Sequence, residues 1–167
     1  MLLSTAGDEC VLVDYDGGLC RMTWLIRFLP MDLQQHIEEL IGFTLPANYL
    51  ELLAAYPAAL KNRARASDES ETQGYVNTFE LMSDLADVLE INLEVRYCSV
   101  MDPDGHDFHW PDQVLVIGEN GDGDYYGIDL LDENSGVVFF NHQTVEFVGI
   151  TDTLTEYVDL LQESFNV

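Results

Sequence analysis

The chain is 167 residues long, 47% hydrophobic and 11% aromatic, with six Lys and Arg against 31 Asp and Glu, for a net charge of −25. That balance excludes nucleic-acid binding, whose affinity comes from neutralising phosphates with Lys and Arg, and it disfavours anionic membrane surfaces for the same reason. A chain this long and this apolar can bury a core without disulfides or a structural metal.

Cys10, Cys20 and Cys98 are an odd number at spacings that match neither a CxxC redox pair nor a zinc ligand set, which points to a reducing compartment, the cytoplasm. The start carries Asp8, Glu9, Asp14 and Asp16 where a secretory signal needs a cationic region and an unbroken apolar run. Met22 to Pro30, the most apolar stretch, contains Arg27 and is far too short to span a bilayer. All six basic residues (Arg21, Arg27, Lys61, Arg63, Arg65 and Arg96) lie in the first 96 positions, and residues 97–167 hold 15 acids and no Lys or Arg. Such a layout keeps a protein soluble by self-repulsion, and it also speeds encounter with a partner that presents a basic face.

In chain order, residues 1–30 read as an N-terminal appendage. Val11 to Tyr15 alternates weakly, Asp16-Gly17-Gly18 signals a turn, and Leu19 to Phe28 is a second apolar run, the pattern of a hairpin. Residues 31–167 read as the main domain. Asp32 is placed to cap a first helix whose Leu33, Ile37, Leu40 and Ile41 keep helical spacing until Gly42. Leu45-Pro46 opens a second helix, with Pro near its first turn and Tyr49, Leu50, Leu52, Leu53 and Tyr56 as its buried stripe. Lys61 to Gln73 is polar and reads as a mobile loop, and Val76 to Phe79 as a short strand. Ser83 or Asp84 caps a helical turn through Leu85, Val88 and Leu89 toward Ile91, and Arg96 to Val100 reads as a strand. Val114–Ile117, Tyr125–Leu130, Val137–Phe140 and Val145–Ile150 are strand-like runs separated by Gly, Asn and Asp turns, which predicts an antiparallel meander. Leu154, Tyr157, Val158, Leu161 and Phe165 mark a final amphipathic helix. Helices first, a sheet in the middle and a helix last make an α+β fold, with helices packed against a central, mostly antiparallel sheet.

The strings that tempt a chemical reading do not hold up. Asp122 to Glu133 overlays a calcium loop except at Tyr126, but β-rich runs flank it where that loop needs helices. Gly118, Gly121 and Gly123 are not spaced as GxGxxG, and the acids among them would repel a pyrophosphate; a hairpin turn using glycine at positive φ fits better. Asp102, Asp104, His106, Asp107 and His109 cluster without a diagnostic metal spacing. Cys98 has no nucleophile motif around it, and paired carboxylates are uninformative in so acidic a chain. No catalytic residue, metal or cofactor is expected.

Two stretches do carry a resemblance. Trp110-Pro111 through Val114-Leu-Val-Ile-Gly118, then Gly123-Asp124-Tyr-Tyr126-Gly127-Ile-Asp129, then Gly136-Val-Val-Phe-Phe-Asn141-His142, resembles the core signature of the SUKH superfamily. That superfamily takes in fungal cell-wall assembly regulators and many bacterial toxin-immunity proteins. Upstream, Gly42-Phe-Thr-Leu45-Pro46-Ala-Asn-Tyr49 is similar to its other signature, and TLTEYVDLLQESF to its last helix. Ala54-Ala55-Tyr56-Pro57 stands where members commonly have Asn-Gly, and residues 1–30 match nothing in the pattern. Physically, Trp110 suits a core anchor, Gly123 and Gly127 a tight turn and a close backbone approach, and Asp124 and Asp129 bonds to exposed amides.

The resemblance implies a cytoplasmic immunity protein that binds a cognate toxin, often a nuclease, with no chemistry of its own. The acidic loop residues Asp102, Asp104, Asp107, Glu119, Asp122, Asp132 and Glu133 are the expected contacts, standing in for phosphate in the toxin's basic cleft. The partner is then a basic protein, with this chain a monomer or weak homodimer. The alternative, after the fungal branch, is a regulatory protein–protein interaction module with no toxin partner.

Overall fold

The computed structural model describes residues 11–16, 19–24, 32–61, 80–98, 100–101, 104–120, 123–132 and 134–165. The chain divides into two compact units, Met1–Asp32 and Leu33–Val167. In the first, β1 (Val11–Asp16) and β2 (Leu19–Trp24) form an antiparallel pair in register from Val11↔Trp24 to Asp16↔Leu19. Of the loop expected over Lys61 to Gln73, Lys61 ends a helical turn instead, and residues 62–73, the expected strand over 76–79, and Asp102, Asp122 and Glu133 lie outside the described residues.

The second unit begins with α1 (Leu33–Ile41), which buries Ile37 and Ile41 and ends at Gly42. Gly42 adopts φ +74, the left-handed conformation that terminates helices and that other residues resist, and its N–H donates to the Glu38 carbonyl at 2.9 Å. The Glu38 carboxylate also accepts from the Leu45 N–H at 3.0 Å, closing the turn into α2 (Ala47–Ala54). Pro46 is the N-cap of α2, next to its first turn as expected. Tyr56 lies beyond the helix, and its hydroxyl reaches the Leu81 carbonyl at 2.6 Å. Residues 58–61 make a further helical turn.

α3 (Leu85–Tyr97) starts where Asp84 accepts from the Ala86 N–H at 2.7 Å, and it runs well past Ile91. Arg96 and Tyr97 form its last turn and Cys98 its C-cap, so the strand expected over Arg96 to Val100 shrinks to β3 (Val100–Met101). β-Branched and aromatic residues gave that stretch its strand appearance; the bonds Arg96 makes from the helix, described below, override it. β3 pairs with β4 (Asp107–Phe108).

The meander follows as β5 (Val114–Glu119), β6 (Tyr125–Asp129), β7 (Val137–Asn141) and β8 (Glu146–Thr151), antiparallel in that order. Leu130 falls just outside its strand, its N–H donating to the Gln113 carbonyl at 2.8 Å. Val145 belongs to the turn before β8, at φ +56. α4 (Leu154–Phe165) opens with a reciprocal capping box: Thr153 Oγ1 accepts from the Glu156 N–H, and Glu156 Oε2 from the Thr153 N–H, both at 3.1 Å.

Period-two alternation gives the sheet two distinct faces. Tyr126, Phe139 and Val148 are cross-strand neighbours on one face, where Tyr157 of α4 packs at a tilt against Tyr126 with ring centroids 5.8 Å apart. Tyr125, Phe140 and Phe147 share the other face and pack with Phe108 and Trp110. Leu115, Ile117, Ile128, Val137, Leu154, Tyr157 and Leu161 are buried, each contributing about 1.5–3 kcal/mol of apolar transfer. The architecture is α+β: an antiparallel meander with helices packed on it. Among the described residues, no helix is long and apolar enough to cross a membrane.

Candidate partner-binding surface

The motif residues are first of all construction. Trp110 is buried, and its indole N–H donates to the Val114 carbonyl at 2.9 Å while its ring meets Tyr125, Phe140 and Phe147 edge-on. Pro111 accepts from the Val114 N–H at 3.0 Å. Gly118 sits at the irregularity that shifts the β5–β6 register. A Cβ on Gly127 would lie 2.7 Å from Val114 Cγ1 and 3.1 Å from the Leu115 carbonyl oxygen, so a side chain there forces β5 to shift. Asp129 accepts from the Leu131 N–H at 3.0 Å. Leu45 and Tyr49 are core.

Asp124 ties two turns at one end of the sheet. One carboxylate oxygen accepts from the His142 N–H at 2.9 Å and meets His142 Nδ1 at 2.7 Å, while the other accepts from the Asn120 side chain at 2.8 Å. Gly123, at φ +91, turns the chain beneath the His142 ring. Burial would raise the Asp124 carboxyl, but the bonds from His142 and Asn120 outweigh it and hold the group below the usual carboxylate range.

Glu119 stands at the same end, paired in register with Tyr125. Burial, then the neighbouring Glu94, pushes its carboxyl up. Glu94 on α3 is pushed up by burial and by Glu90. The Tyr125 hydroxyl is raised by burial and by Glu94, Glu119, Cys98 and Asp124. Negative groups from α3, β5 and the β5–β6 turn therefore converge on one aromatic ring.

Two of the acidic residues expected from sequence, Glu119 and Asp132, lie apart. Val114↔Asp129 and Glu119↔Tyr125 mark opposite ends of the β5–β6 pair, and Asp132 follows Asp129, so Glu119 and Asp132 are at opposite ends of the sheet. Asp132 builds its loop, accepting from the N–H groups of Asn134 and Gly136, each at 3.0 Å, which hold its carboxyl low. Asp104 is exposed in the turn before β4, and Asp107 is exposed within β4. Glu90, Glu94, Tyr125 and His142 were missed as surface residues. The i, i+4 spacing of Glu90 and Glu94 was legible, but only with the helix carried past Ile91. Among the described residues, no group of three His, Cys, Asp or Glu could hold a metal ion. Within the calcium-like string Tyr125–Asp129 is strand β6 rather than a loop, and Asp124 is committed to His142 and Asn120.

A family model, SUKH_6, described as SMI1-KNR4 cell-wall, matches residues 32–158. The chain belongs to the SUKH family. The SUKH match spans the second unit from the start of α1 into α4 and leaves the β1–β2 hairpin outside it. Searches of curated proteins and of solved structures returned no match. Within the SUKH domain, the two sequence signatures end up in different roles. The Leu45-Pro46 stretch joins α1 to α2, whereas the Trp110 to His142 stretch builds the sheet and the acidic end described above.

Proposed function

We propose that this SUKH domain is a non-catalytic immunity protein, acting in the cytoplasm, that binds a cognate toxin, a nuclease domain, through its acidic surface. The supporting observation is the set of carboxylates around Tyr125. Glu119 is raised by burial and by Glu94, and Glu94 by burial and by Glu90, a repulsion that an arriving Lys or Arg would relieve. The nearest basic residue in sequence is already engaged: the Arg96 guanidinium donates to Asn92 Oδ1 at 2.7 Å and to the Val114 carbonyl at 2.9 Å. With no Lys or Arg after Arg96, the C-terminal part of the chain is suited to the basic cleft that a nuclease presents to phosphate. Of the residues expected at the contact, Glu119 has the strongest support; Asp132 acts chiefly in its own loop.

The cell-wall term in the family description favours a second reading, a regulatory interaction module without a toxin partner. One experiment separates the two. The tagged full chain is used to capture partners from its own cells, eluted by a salt step and identified by mass spectrometry. A basic nuclease domain released by salt, with an association rate that falls steeply with ionic strength, supports the immunity reading. Recovery of housekeeping complexes, indifferent to salt, supports the regulatory one.

A further inference from the structure

The two edges of the meander are finished differently. Along β5, the outer backbone groups from Val114 to Ile117 are engaged from outside the sheet: Met82 N–H donates to the Ile117 carbonyl at 2.7 Å, the Asn92 amide bonds both backbone groups of Val116, and Arg96 and Trp110 donate to the Val114 carbonyl. Along β8, among the described residues, only β7 is paired. Val148 is 56% exposed, and the space over Gly149 is empty to 4 Å. The register shift between Val137 and Val138 leaves Ile150 as an extra residue, so the regular part of the edge is Glu146–Gly149.

We infer that the β8 edge is a strand acceptor, and that its occupant is an extended, Lys- or Arg-bearing segment of a partner protein. An exposed edge strand offers alternate N–H and C=O groups to any extended chain, and added strands are a recurrent mode of recognition. Charge selects among the occupants. Glu146 begins β8, Asp152 and Glu156 follow it, and no Lys or Arg lies anywhere in residues 97–167. A second copy paired antiparallel would bring Glu146 toward the other copy's Asp152, like charges on two chains of −25 each. A basic strand meets the same acids favourably and covers Val148. The inference deepens the proposed function, resting on its basic partner and naming where that partner's backbone docks.

The test uses the full chain and a defined probe: a short peptide alternating Lys with Val and Thr, a version N-methylated at alternate amides, and a version with Glu replacing Lys. Amide hydrogen exchange reads protection residue by residue. The expected result is protection of Glu146–Gly149 by the Lys peptide, with affinity lost by about tenfold or more on N-methylation or on replacing Lys by Glu. E146Q is expected to weaken the Lys peptide and leave thermal stability unchanged, since Glu146 is exposed. Equal binding of the N-methylated peptide, or protection confined to the Glu119–Tyr125 end, overturns the inference and leaves the immunity reading standing. Protection of the outer β8 amides in the free chain also overturns it: independent of concentration, it means the chain covers its own edge, and rising with concentration, it means a second copy does. If the peptide pairs with β8 but capture from cells returns no basic partner, the acceptor edge stands and the immunity reading falls.

Discussion

The side chain of Asn92 on α3 bonds both backbone groups of Val116 on β5, its Oδ1 accepting from the Val116 N–H at 3.0 Å and its Nδ2 donating to the Val116 carbonyl at 2.7 Å. Asn92 is fully buried and its Nδ2 also reaches the Val88 carbonyl at 2.7 Å. One amide thus does what a neighbouring strand would do, at the point where the sheet ends against a helix. A buried backbone pair without partners costs far more than an ordinary hydrogen bond contributes, so this contact explains why a polar residue sits in the core.

Replacing Asn92 tests that reading. Asn92→Ala strands the N–H and carbonyl of Val116 in the core, and urea unfolding should show a loss of about 2–4 kcal/mol. A loss below about 1 kcal/mol would mean that water or a shifted backbone satisfies the edge equally well.

Gly127→Ala should destabilise by about 1–3 kcal/mol, because the new methyl meets the Val114 side chain and the Leu115 carbonyl. Combining it with Val114→Ala should recover part of that loss, since the shorter contact is removed. Additive losses in the double variant would place the strain at the Leu115 backbone instead.

Acid unfolding should depend on Asp124. Its carboxyl is held low in the folded chain, so its contribution is present above the unfolded value of about 4 and is lost as pH falls through the lower folded value. Asp124→Asn should lower stability at neutral pH and flatten the stability profile on the acid side. An unchanged acid limb would show that the two turns are held together without the carboxylate.

Glu94 and Glu119 carry the opposite sign. Their folded values lie above the ordinary 4.5, so their favourable contribution is complete below that value and is lost as pH rises through the folded values. Glu94→Gln and Glu119→Gln should therefore raise the thermal midpoint at neutral pH and leave it unchanged in acid. The same pair of substitutions should slow association with a captured basic partner and weaken its salt dependence. A more stable variant that binds at an unchanged rate would remove the Tyr125 surround from the interface.

Much of the second unit is written in local sequence. The four strands of the meander, the stop at Gly42, the Asp84 cap and the full extent of α4 rest on period-two or period-3.6 patterns and on caps that act within a turn, so a single stretch of residues reveals each. The family resemblance, the predominance of acids and the absence of Lys and Arg after Arg96 are likewise plain in the chain. The end of α3 is not. Arg96 and Tyr97 have strand-like neighbours, and they stay helical where Arg96 can reach the edge of β5, eighteen residues further on. The tertiary structure also decided that Asp124 joins His142 across two turns, that Glu119 meets Glu94 and Tyr125, and that Glu119 and Asp132 part to opposite ends of the sheet. Periodicity says which face a residue takes; only chain reversal and packing say which distant residue it will face, and a binding surface is made of the second kind of fact.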